Sequence, residues 1–67
     1  MNNLSARQSV IMSTLNGMAL GVSLDYLHRK VNSSFMFEVS KEQVFNSCLR
    51  LIKRDMIACK LGYYFSK

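Results

Sequence analysis

Residues 40–65 read SKEQVFNSCLRLIKRDMIACKLGYYF, and this stretch decides the fold. Ser40-Lys41-Glu42-Gln43 has the form of a capping box, in which the serine oxygen accepts from a first-turn amide and the glutamine reaches back to the serine amide. After it Val44, Cys48, Leu51 and Ile52 fall on one face and lead to the pair Met56-Ile57, so the spacing predicts a helix over 41–54. Beyond Asp55 the period changes from helical to extended. Ile57-Ala58-Cys59-Lys60, Leu61-Gly62 and Tyr63-Tyr64-Phe65-Ser66 read as strand, tight turn and strand, a hairpin over 57–66. Leu61 suits poorly the positive φ that a type I′ turn needs at its first corner, which predicts another turn type with Gly62 taking the positive angle. At least one of Tyr63, Tyr64 and Phe65 should face inward.

Working back toward the start, Ser5-Ala6-Arg7-Gln8 is a second capping box, followed by Val10, Ile11, Thr14, Leu15 and Met18 at spacings of three and four. These predict a helix over 6–16, closed by Asn16-Gly17, residues that tolerate a left-handed helix end. Residues 18–22 are a short apolar bridge, extended enough to pair with a later strand. Ser23 offers a third cap. Leu24, Leu27 and Val31 then predict a helix over 24–32, with Asp25 in its first turn and Arg29 and Lys30 in its last, as the helix dipole prefers. Asn32-Ser33-Ser34 breaks the pattern, and Phe35-Met36-Phe37-Glu38 is a dense apolar cluster without a helical stripe.

Sixty-seven residues hold one hydrophobic core, so a single domain over 1–67 is expected, with a core thin enough to make oligomerisation a live expectation. Nearly half the residues are apolar and few are charged, a globular profile rather than a disordered one. Nine Lys and Arg against four Asp and Glu leave a formal charge of +5, which favours polyanionic partners, although an ordinary solvated surface explains charge alone equally well. Two cysteines, Cys48 and Cys59, are too few for a disulfide framework and read as reduced. Met1-Asn2-Asn3 opens no basic leader, and no apolar run approaches a membrane span, so a cytoplasmic protein is expected. His28 is the sole histidine, which leaves no metal site to expect. A Cys48–His28 nucleophile pair is outweighed by Cys48 as a small core residue, and without a phosphate loop, carboxylate pair or nucleophile elbow neither catalysis nor a cofactor is expected.

Three helices and a hairpin, the third helix capped by Ser40 and running through Met56-Ile57 into the hairpin, resemble the winged helix-turn-helix DNA-binding domain. The resemblance covers nearly the whole chain and rests on spacing and residue type, without a diagnostic motif. It implies a mainly α fold with a small β-hairpin and a sequence-specific duplex-DNA-binding transcriptional regulator, a homodimer on a near-palindrome, nucleoid-associated when bound. Its length suits a phage- or plasmid-type control protein. Two features depart from the family pattern: the connection over 32–39 is longer than a tight turn, and Asp55 stands where Gly is frequent.

On that reading the third helix meets base edges through Lys41, Gln43, Asn46, Ser47 and Arg50, side chains able to donate or accept in pairs. Lys53, Arg54 and Lys60 at the hairpin junction, with Arg29 and Lys30 on the second helix, are expected on phosphates. Phe45 and Leu49 fit that face poorly. They are expected to pack under Phe35 and Phe37 or to form a subunit contact. The rival expectation is a small interaction or inhibitor protein that binds a partner protein through an apolar patch of Phe35, Met36, Phe37, Phe45 and Leu49.

Overall fold

Ser5, Ser23 and Ser40 each hold extended backbone just before a helix, and each hydroxyl accepts from the amide three residues on. Gln8 and Gln43 complete the first and third caps by accepting from the serine amides at 3.0 Å. In the structure, a computed structural model describing residues 4–67, these caps open α1 (Ala6–Asn16), α2 (Leu24–Ser34) and α3 (Lys41–Lys53). Residues Met1, Asn2 and Asn3, on which the expectation of no leader rests, lie outside the described residues. The α2 helix runs two residues beyond its expected end and α3 stops one short.

The described strands are β1 (Val22–Ser23), β2 (Ile57–Lys60) and β3 (Tyr63–Ser66), joined as one antiparallel sheet in the order β1-β3-β2. Ile57 faces Ser66 and Lys60 faces Tyr63 in the hairpin, while Val22 of the short bridge pairs with Tyr64. Three helices with a small antiparallel sheet make a mostly helical α+β domain. The core lies between them. Ile11 and Leu15 of α1, Leu27 and Val31 of α2, and Val44, Cys48 and Leu51 of α3 meet Val22, Ile57 and Tyr64 from the sheet. Truncating such a leucine to alanine costs about 2–5 kcal/mol, so few side chains carry a domain of this size. Met18, expected on the α1 stripe, instead stands exposed beyond the helix end, and Gln8 takes a buried place beside its capping bond.

Val39 adds a buried side chain from the long α2–α3 connection, and its peptide groups are held by α2. Asn32 accepts from the Val39 amide at 2.6 Å and donates to its carbonyl at 3.0 Å, as a neighbouring strand would. His28, one turn earlier, donates from Nε2 to the same carbonyl at 2.8 Å. The connection therefore enters α3 from a fixed point despite its length.

The turns correct two expectations. Gly17 closes α1 at φ −91°, so no left-handed residue is used there. Leu61 and Gly62 both have positive φ, 54° and 83°, the pattern of a type I′ turn, whose twist matches the two strands; strand pairing overrides the preference of Leu61. At the end of α3, Asp55 takes φ 61° in the place where glycine is frequent. Its amide donates to the Ile52 carbonyl and that of Met56 to the Leu51 carbonyl, the paired bonds of a Schellman motif. Asp55 is also ion-paired with Lys67.

Candidate nucleic-acid interface

The core stripe of α3 uses Val44, Ser47, Cys48 and Leu51, leaving two flanks and a crest on the remaining surface. At 3.6 residues per turn, Gln43 and Phe45 stand about 200° apart around the axis, one on each flank. On the first flank Gln43, Asn46 and Arg50 border a shallow concavity whose opposite wall is Arg7 of α1. A neighbouring hollow continues from Ser5 and Gln8 along Arg50, Lys53 and Arg54. The structure thus brings together Gln43, Asn46, Arg50, Lys53 and Arg54, and adds Arg7. Nothing in the sequence spacing of Arg7 announces it, since only the packing of α1 on α3 places it there.

Ser47 lines the floor of the first concavity but presents no free hydroxyl donor to it. It is buried, and its hydroxyl donates to the Gln43 carbonyl at 3.0 Å, because it lies three residues from Val44 and four from Leu51 on the inward stripe. Lys41 lies toward the other flank, where it is ion-paired with Asp25 at the start of α2 and holds that carboxyl below the usual carboxylate range. Gln43 spends its carbonyl oxygen on the cap, so its amide nitrogen is the free donor. Lys30 sits 5.7 Å from the centre of the Tyr26 ring, in a hollow with Ser13 and Met18, away from α3. Arg29 is exposed on α2, and Lys60 is exposed on the hairpin. Among the described residues Arg7, Arg50 and Lys53 form no ion pair, so the concavity carries uncompensated positive charge.

The other flank is apolar. Phe45 and Leu49 are 39% and 41% exposed, with Ile52 partly buried beside them. Phe35 and Phe37 do not cover them: their rings, 5.5 Å apart, border a groove with Ser5, Arg7 and Gln43 on the opposite side of α3. Of that loop, Phe35 is packed against the core while Met36 and Phe37 project into solvent. The single apolar patch expected from the sequence is therefore two patches, separated by the α3 helix.

Cys48 is an inert core thiol. Burial pushes it up from 9.0 to about 12, and His28 Nε2 is committed to the Val39 carbonyl. Burial likewise moves the Tyr64 phenol from 10.0 to about 12. No helix among the described residues is long and apolar enough to cross a membrane. No known family, curated protein or solved structure matches the chain, so the reading of the site rests on its own chemistry.

Proposed function

We infer that this chain is a winged-helix domain that binds duplex DNA and acts as a transcriptional regulator. The observation that carries the reading is the meeting of Arg7, Gln43, Asn46 and Arg50 along one flank of a capped, outward-facing helix. A major groove about 12 Å wide admits such a helix. Asn46 and Arg50 have the donor sets that read base edges, and Gln43 offers its amide nitrogen to an acceptor such as a purine N7. Arg7, Lys53 and Arg54 border the same hollows and suit phosphate oxygens on either side, with Lys60 on the hairpin reaching the adjoining backbone. The order of three helices and a hairpin, with β1 paired to the returning strand, supports the winged-helix assignment. The test is titration of labelled duplexes with wild type and an Arg7→Ala, Arg50→Ala double variant. Binding weakened in the folded double variant is the expected result, and unchanged binding would move the interface elsewhere.

A second reading has its own observation. Met36 and Phe37 stand at the tip of a connection anchored by Val39, and an exposed apolar prong suits a protein partner. Met36→Ser, at the tip and outside the groove that Phe37 shares with Arg7 and Gln43, separates the two: on the DNA reading it leaves both duplex affinity and the chain's biological effect unchanged, and on the partner reading it removes the biological effect with duplex affinity and melting unaltered.

A further inference from the structure

We propose that the Phe45, Leu49 and Ile52 flank of α3 is the contact between two copies of this chain, their α3 helices packed antiparallel about a two-fold axis that crosses the helix at the level of Ser47 and Cys48. These residues follow one another at spacings of four and three, the repeat that lets two helices mesh along a seam. Phe45 is open to solvent on the side facing away from Gln43, while Leu49 and Ile52 also border a hollow with Asn46, Arg50 and Lys53, so a second copy seated here leaves Arg7 and Gln43 clear but overlaps the outer edge of the cationic flank.

Charge at the two ends of the seam selects the partner and its direction. Glu42 lies at one end and Lys53 at the other, about 16 Å apart along the axis at 1.5 Å per residue. Neither forms an ion pair within the described chain, since Asp25 engages Lys41 and Asp55 engages Lys67. An antiparallel second copy sets each Glu42 against the Lys53 of the other, twice per dimer. A parallel copy would set like charges together at both ends. The contact is thus self-complementary in the isologous sense, residue for residue in both directions. Its small apolar area makes it a weak association that depends on concentration.

The experiment is sedimentation equilibrium of the full chain without DNA, over a concentration series reaching the millimolar range, so its outcome is independent of the DNA reading. Wild type is expected to pass from monomer to dimer. Leu49→Glu is expected to stay monomeric throughout while melting like dilute wild type. Should that variant fail to fold, charge reversal at two exposed positions decides: Glu42→Lys and Lys53→Glu each weaken the dimer several-fold, and the two together restore it. Monomeric wild type at every concentration, a dimer indifferent to a folded Leu49→Glu, or no restoration by the paired reversal would overturn the proposal.

Discussion

The two flanks of α3 share one cap, one length and one buried stripe, yet they invite opposite partners. On one side Gln43 and Arg50 meet Arg7 across a concavity, and the unpaired guanidinium groups favour a hydrated polyanion. On the other, Phe45, Leu49 and Ile52 gain only by leaving water. The lesson is geometric. Once Val44, Cys48 and Leu51 fix the inward direction, two residues of spacing are enough to turn a side chain from one environment to the other. Because Leu49 and Ile52 share a hollow with Asn46, Arg50 and Lys53, the two environments meet at the crest of the helix, and a second copy on the apolar side competes there with duplex.

The contrast makes sense only if the inward stripe holds, and the largest predicted effect tests that. Leu51 is fully buried, so Leu51→Asp is expected to cost at least about 4 kcal/mol and abolish cooperative unfolding. A variant that melts like wild type in calorimetry would move both flanks.

Next in size is the response of the core and the surface to pH. Cys48 and Tyr64 are both raised to about 12 by burial, so the folded state holds their protons more tightly than the unfolded chain. The stability they contribute is complete below about pH 9 and is lost as pH rises toward 12. Cys48→Ala is expected to be less stable at neutral pH, yet to lose stability less steeply over that alkaline window. The surface behaves in the reverse sense. Asp25 is depressed by Lys41, so its small contribution is present above the ordinary carboxylate range and fades as pH falls below it. Equal alkaline slopes for wild type and Cys48→Ala in urea melts would contradict the burial of the thiol.

The third prediction compares the flanks directly on a duplex too short for two copies. Asn46→Ala and Arg50→Ala are each expected to cost about 1–3 kcal/mol at a preferred sequence, whereas Phe45→Ala leaves the affinity of one copy unchanged. Equal losses on both flanks would erase the distinction.

The smallest effects come from the turns that hold α3 to the hairpin. Leu61→Asn and Asp55→Gly place residues tolerant of positive φ where the backbone already adopts it, and each is expected to stabilise the fold by up to about 1 kcal/mol. For Asp55→Gly the exposed ion pair with Lys67 is lost, a smaller term. Lower melting temperatures in both variants would count against the assigned turn geometry.

Much of this was legible in residues that act locally. Ser5–Gln8 and Ser40–Gln43 carry their partners within four positions, and the switch from helical to alternating pattern after Asp55 marks the hairpin. Ser47 was legible too, since its spacing from Val44 and Leu51 already places it inward; its polarity alone suggested otherwise. What sequence reading missed depends on contacts between elements. Asn32 reads as a helix breaker, but it serves as a peptide mimic for Val39, seven residues on. His28 reaches the same carbonyl from eleven residues away. Arg7 enters the site only because α1 lies against α3, and Phe35 leaves Phe45 because the helix between them turns its two sides apart.

Direct measurement of duplex binding by wild type, as fluorescence anisotropy over a series of salt concentrations, tests the central claim that the Arg7–Arg50 flank of α3 is a DNA-binding surface. The account predicts binding at low salt that weakens linearly in log affinity against log salt. Arg7→Ala and Lys53→Ala should each lower that slope by about 1, as one fewer phosphate is neutralised. A folded wild type that binds no duplex at low salt, where its excess of five positive charges is least screened, would contradict it.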